Sequence, residues 1–457
     1  MEYNELRNRY PVFYYRDFTL IESEEEFQVQ FDFEIGGLSH FNPVFIIPKP
    51  KDSGTFGNLR SVREAAFSLG MVELISYWKL TCAPRVTVEC GSLNDDQIRW
   101  WKKLYFHGLG EFFYRNGIEP DMDGFMDLGS TGEVITGQID QRIFRGNLIP
   151  VGGGKDSFVS LQLLKDSKEE NYAFVINHVM SAVHAAFAAG YRGDSLIIAE
   201  RTLDSRMLEF NKCGFLNGHT PFSALCAFAA SLTAIIYGIQ NICLSNEDSA
   251  NESTIKGSTV NHQYSKTFMF EQDFKHYMDT YITPEVHYFS LLRPLSELQI
   301  AGLFSELDAY LPVFRSCNVG QKQEKWCGHC AKCLFVCILL SAYLPDETLV
   351  SIFHADMLND PDMYDLLTQL TGITDDKPFE CVGTRDEVNT AINMSINNHL
   401  KNNQPLPYLY QKYMESPYRE YYKDKQVDWD AFQNENLVPE PMKALLKNWL
   451  AERKERA

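Results

Sequence analysis

Val151-Gly152-Gly153-Gly154-Lys155-Asp156-Ser157 is the stretch whose reading decides the fold. A short apolar run, Leu148-Ile149-Pro150-Val151, precedes it. Behind it comes Phe158-Val159-Ser160-Leu161-Gln162-Leu163-Leu164, with apolar residues at three- and four-residue steps. That order predicts strand, glycine-rich turn, helix. Glycine tolerates positive φ and lets the backbone approach a ligand closely. A helix starting there points its free N–H groups and positive dipole end into the turn, which suits a phosphate. Lys155 adds a point charge for phosphate oxygens. Asp156 would repel a bare anion, so its expected task is to face a magnesium ion or to orient the loop. The plain alternative is a turn that joins strand to helix and binds nothing.

Two common phosphate motifs do not match. G-x-x-x-x-G-K-[ST] needs four residues between its glycines, and Lys155 and Asp156 break G-x-G-x-x-G. The turn resembles the PP-loop, S-G-G-x-D-S, of the ATP pyrophosphatase superfamily, with Gly152 where that superfamily usually has serine. The resemblance implies that Gly152, Gly153, Gly154, Lys155, Asp156 and Ser157 grip the β,γ-diphosphate of ATP. The α-phosphorus is then open to attack, and AMP and pyrophosphate are the products.

A chain of 457 residues is long enough for two or three domains. Its net charge of −19 repels nucleic-acid backbones and speaks against a tRNA substrate. It leaves room for a small anionic substrate in a locally basic cleft. Met1-Glu2-Tyr3-Asn4-Glu5-Leu6-Arg7 lacks the apolar core of a secretory signal. The longest uncharged run, Pro221 to Asn241, is rich in Ala, Ser and Thr and lacks basic flanks. It reads as a buried helix rather than a membrane span. Eleven cysteines, an odd count with four crowded together, point to reduced thiols and a metal. The expectation is a cytoplasmic protein.

Three regions are expected. Residues 1–140 read as an α+β module. Phe27, Val29, Phe31 and Phe33 alternate with polar residues as in a strand, Phe45-Ile46-Ile47 and Val86-Thr87-Val88 are further strands, and Ser61 to Leu80 is helical. Trp100, Trp101, Leu104 and Tyr105 lie on another helix, and Asp121 to Thr136 reads as a linker or loop. Residues 141–345 carry strand candidates at Leu148–Val151, Ala173–Ile176, Ser195–Ala199 and Asn241–Leu244, with helices between them, notably Phe222 to Tyr237. This is the rhythm of a parallel sheet with helices on both faces, in which ligands bind beyond the carboxyl ends of the strands. Residues 346–457 read as mainly helical, with Leu366, Leu367, Leu370, Met442, Leu445, Leu446 and Trp449 as packing stripes.

The loops after those strands hold Asn177 and His178, then Glu200, Arg201, Thr202 and Asp204, then the run Ser245 to Ser253. In that run Glu247 or Glu252 can bind magnesium or act as a base, and Asn246 can orient substrate. The same composition also suits a solvated turn. His262, Gln263, Ser265 and Lys266 form a further polar loop.

Cys317 is followed by Trp326-Cys327-Gly328-His329-Cys330-Ala331-Lys332-Cys333. Two overlapping C-x-x-C steps and a fourth cysteine upstream fit a four-thiolate zinc site. With all four positions filled, that zinc is structural. Buried free thiols and a redox pair are the alternatives. Cys337 lies in an all-apolar helix and reads as core.

With both motifs placed, the chain resembles the 7-cyano-7-deazaguanine synthase group. It resembles more closely the UDP-N-acetyl-α-D-muramoyl-L-alanyl-L-glutamate epimerase family. The likeness rests on the turn, the Cys327 to Cys333 cluster, the Ser245 to Glu252 run, Gly70 to Lys79, Gly108 to Phe112 and Lys377 to Thr384. It implies a PP-loop, adenine nucleotide α-hydrolase-like sheet between an α+β module and a helical C-terminal part. It also implies ATP, Mg2+ and Zn2+, and a UDP-muramoyl dipeptide whose terminal L-glutamate becomes D-glutamate through an acyl-adenylate. In that scheme Lys155 holds the diphosphate, Asp156 and Glu247 hold magnesium, and Arg201 or Lys266 neutralises charge near the α-phosphate or the substrate. Cys381 is the leading candidate for the epimerising base, with Glu247, Glu252 and His262 as alternatives. A synthetase that uses the same turn to make an amide or nitrile is the rival activity. A protein that binds ATP without turning it over is the rival class.

Overall fold

A computed structural model describes residues 2–456 except 52, 166, 168, 249–263, 321–322, 376, 379 and 381. Its strands are β1 (Val12–Glu22), β2 (Glu26–Ile35), β3 (Ser39–Phe41), β4 (Val44–Pro48), β5 (Arg85–Val88) and β6 (Asp127–Ser130). They continue with β7 (Asn147–Pro150), β8 (Asn171–Ile176), β9 (Leu196–Thr202), β10 (Asn241–Leu244) and β11 (His287–Ser290). All belong to one 11-stranded sheet in the order β11-β10-β7-β8-β9-β4-β2-β1-β5-β6, with β3 on β2. Strands from both sides of residue 140 therefore share one hydrogen-bonded layer.

The strands β11, β10, β7, β8 and β9 are parallel. β4 then runs antiparallel to β9, with Phe45 opposite Arg201. In the parallel part, alternate residues go to opposite faces, as strand periodicity requires. Leu148, Phe174, Ile242 and Tyr288 enter one core with the helix Phe222–Tyr237. Ile149, Ala173, Cys243 and Phe289 enter a second core with the helices Lys155–Leu164 and Glu297–Phe304. Both faces are covered, so the middles of these strands are apolar, with polar residues such as Asn147, Asn171 and Asn241 at their starts.

The helix Arg60–Trp78 is buried along almost its whole length and packs against Phe222–Tyr237. Among the described residues no helix is long and apolar enough to cross a membrane. The run from Pro221 is the buried helix expected of it. The helices Ala331–Ser341, Arg385–Lys401 and Glu440–Arg456 lie on the second core, where Leu367, Leu370, Met442 and Leu446 are buried. The ten described cysteines are free thiols.

One strand differs from expectation and two others are not anticipated by the sequence reading. β6 lies inside the segment Asp121 to Thr136 that reads as linker; pairing with β5 makes it a strand. β1 has no clean alternation because its register shifts between Tyr15 and Asp17. β11 is too short to announce itself and is held by β10 on its inner side.

Candidate active site

β7 connects forward to β8 on one side, while β10 lies on its other side. The strand order therefore reverses at β7, and ligands of such sheets bind beyond the carboxyl ends of the strands at this kind of reversal, here β7 and β10. The glycine turn follows β7 and Ser245-Asn246-Glu247 follows β10, so two sequence-selected stretches meet at this reversal. Ser160 Oγ and Ser245 Oγ, 2.8 Å apart, tie the two sides together.

Gly154 is the N-cap of the helix Lys155–Leu164, and no side chain caps that end. Its first N–H groups thus remain available to a ligand. Gly153 has φ +87°, and a Cβ there would come within 2.8 Å of the Ser181 backbone. From the other side the Arg315 N–H donates to the Gly153 carbonyl at 2.8 Å. A Cβ on Gly154 would lie 3.2 Å from Ser316 Cβ. The Gly152 N–H donates to Ser157 Oγ at 3.1 Å and closes the turn on itself.

Lys155 is only 2% exposed. Its ammonium donates to Asp156 Oδ1 and to Glu297 Oε2. Burial works against its charge, but the Asp156 and Glu297 carboxylates outweigh burial and hold the pKa well above that of an ordinary lysine. Glu297 opens the helix Glu297–Phe304 and is also 2% exposed. Burial pushes its carboxyl up, Lys155 opposes this, and the charges of Asp156 and Glu247 add to it. Behind Glu297, Glu387 Oε1 accepts the Glu297 N–H at 2.7 Å. Its Oε2 accepts the Thr384 hydroxyl at 2.8 Å. Asp156, Glu247 and Glu297 thus crowd one buried ammonium, with Glu387 behind Glu297. Like charges this close favour keeping one proton among them, or recruiting a cation.

The segment after Ser245 is braced from beneath. Asn246 Nδ2 donates to Ser290 Oγ at 3.1 Å. Arg293, with no exposed surface, donates through Nη1 to the Glu247 carbonyl at 2.5 Å and through Nη2 to the Lys266 carbonyl. Asn246 therefore ties β10 to β11, and its amide nitrogen is already engaged there. Cys381, Glu252, His262 and Gln263 lie outside the described residues.

Arg201 is placed elsewhere. β8 separates its strand from β7, and its guanidinium is held by Glu73 at 2.8 and 2.9 Å and by Ser76 Oγ at 3.1 Å. Glu73 and Ser76 belong to the Gly70 to Lys79 block.

The sulfurs of Cys317, Cys327, Cys330 and Cys333 all lie within 4.8 Å of one another. Three of the separations are 4.0, 3.7 and 3.5 Å. Tetrahedral bonds of ~2.3 Å to one ion would place sulfurs ~3.8 Å apart, so the four thiols could hold zinc. The N–H groups of Gly320 and Cys327 point at Cys317 Sγ at 3.1 and 3.4 Å and hold that sulfur in place.

Sequence reading did not find Glu297, Glu387 or Arg293. Glu297 and Arg293 follow β11, and recognition of that fifth parallel strand would have directed attention to them. Glu387 closes the capping box Thr384-Arg385-Asp386-Glu387, a pattern visible in the sequence.

The chain matches the profile of the MurL N-terminal domain over residues 4–291 and that of the MurL C-terminal domain over residues 313–420. It is similar to proteins named UDP-N-acetyl-alpha-D-muramoyl-L-alanyl-L-glutamate epimerase. The one from Xanthomonas oryzae pv. oryzae is 33% identical over 73% of this chain and 75% of its own. That of Micromonospora sp. is 32% identical over 78% and 80%. That of Salinispora tropica is 32% identical over 78% and 79%. No solved structure matches the chain. Two domain matches in order, and a third of the residues shared over most of the length, establish that this chain belongs to the MurL family.

Proposed function

We propose that the chain is an ATP-dependent epimerase that inverts the terminal L-glutamate of UDP-N-acetylmuramoyl-L-alanyl-L-glutamate. The substrate is taken from the names of the relatives. The observation that carries the mechanism is the convergence of the uncapped helix start, Lys155 and a carboxylate cluster at the strand-order reversal.

A free carboxylate makes the neighbouring α-proton very weakly acidic, because the carbanion would sit beside a negative charge. In the proposed first step a substrate carboxylate oxygen attacks the α-phosphorus of ATP, and pyrophosphate leaves. The resulting acyl-adenylate is a neutral acyl group, so loss of the α-proton gives a delocalised enolate. A proton returns to the opposite face, and water cleaves the acyl–phosphate bond to release AMP. The glycine turn and Lys155 hold the leaving diphosphate. Asp156, Glu247 and Glu297 would hold Mg2+, which offsets the phosphate charge when bound. The four cysteines would hold a structural zinc beside the turn. Residues 141–345 carry the nucleotide chemistry in this reading, and 1–140 and 346–457 shape the substrate site.

The test is incubation with ATP, magnesium and the muramoyl dipeptide, followed by chiral analysis of released glutamate and separation of nucleotides. D-glutamate with AMP and pyrophosphate is expected. Unchanged L-glutamate, or ADP in place of AMP, overturns the reading.

A further inference from the structure

A second polar constellation lies at the same edge of the sheet, around the end of β9. Lys79 caps the C-terminus of the helix Arg60–Trp78 and is 7% exposed. Among the described residues its ammonium has one acceptor, the Gly218 carbonyl at 2.8 Å, and no carboxylate. The nearby carboxylate is Glu73, and both its oxygens are already taken by Arg201. Burial, and after it the Arg201 charge, hold the Lys79 pKa down to about 8, with Glu73 acting the other way. Arg201 and Lys266 both act on the thiol of Cys226, in the second turn of Phe222–Tyr237.

A buried ammonium without a counter-charge is costly. The chain has 61 acidic residues to its 42 lysines and arginines, yet none of the described ones is paired with Lys79. That absence points to a charge supplied from outside. We propose that Lys79, backed by Arg201, forms a recess that binds an anionic group of the substrate, a carboxylate or a phosphate. β9 lies two strands from β7, so the recess is on the order of 10 Å along the sheet edge from the glycine turn. A substrate with anionic groups at separated points can reach both places. The proposal rests on the reading of the substrate as a UDP-muramoyl dipeptide, which carries a diphosphate and free carboxylates.

Calorimetry on the full chain tests it, with UDP as the phosphate probe, L-alanyl-L-glutamate as the carboxylate probe and ATP as a control. At least one probe is expected to bind the wild type and to lose ten-fold or more in affinity in Lys79→Met, with recovery in Lys79→Arg. ATP affinity is expected to stay within two-fold, and the probe that responds identifies the group held. If Lys79→Met does not fold, the wild type decides: at pH 8 the protein takes up a proton at Lys79 when the responding probe binds. Equal binding of both probes by wild type and Lys79→Met overturns the proposal. So does failure of both to bind the wild type, or binding without proton uptake. Probe binding through Lys79 in a protein that makes no pyrophosphate would leave the recess standing and remove only the reading of the reaction.

Discussion

The Arg315 N–H donates to the Gly153 carbonyl at 2.8 Å, and Cys317 follows two residues later. The cysteine cluster and the glycine turn are thus joined by a hydrogen bond and one short piece of chain. Ser316, between them, stands against Gly154. Whatever fixes the four sulfurs also fixes the wall of the proposed phosphate cradle.

Cys330→Ser is therefore expected to do two things. Metal content, measured by mass spectrometry, falls below one ion per chain, and ATP affinity drops about ten-fold or more in protein that remains folded. A zinc held by these four thiols, as proposed, would contribute directly to folding, so the melting temperature is expected to fall as well. Unchanged ATP affinity in folded, metal-free protein would break the link between the two sites.

Gly153→Ala forces a side chain into a positive-φ position 2.8 Å from the Ser181 backbone. The expected cost is about 1–3 kcal/mol in urea unfolding, with loss of ATP-dependent turnover. Gly152→Ser is the contrast: a Cβ there meets nothing within 4 Å. That variant should keep its stability to within ~0.5 kcal/mol.

Lys155→Met leaves Asp156 and Glu297 without the ammonium they share. Breaking a buried ion pair from one side costs about 3–5 kcal/mol. Lys155→Met with Glu297→Gln removes both charges and should regain much of that stability. Neither protein should release pyrophosphate. Equal stability of the single and double variants would mean that Glu297 is not a charged partner.

Glu64, buried in the helix Arg60–Trp78, has its carboxyl pushed up to about 7 by burial, which the Arg60 charge opposes. From its ordinary value of 4.5 up to about 7, the folded chain holds this proton and the unfolded chain does not. Stability due to this group therefore falls as pH rises through that window. Glu64→Gln removes the fall, and above pH 7 the variant should be more stable than wild type by up to about 3 kcal/mol. Parallel stability–pH curves for the two proteins would contradict this.

Local chemistry made part of this protein readable from its residues alone. The turn at Gly152 to Ser157, the all-apolar helix Phe222–Tyr237, the four-cysteine spacing and the strands from β7 to β10 each depend on neighbours a few positions away. Periodicity and turn preference report such neighbours directly. Tertiary structure alone decided the pairings between distant segments. Glu297 meets Lys155 across 142 positions and Arg201 meets Glu73 across 128, so neither pair leaves a trace in any short window. β6 is a strand because β5 lies beside it, and β11 because β10 does. A sheet ladder and a buried ion pair are made between chain segments, and the folded chain is what brings those segments into contact.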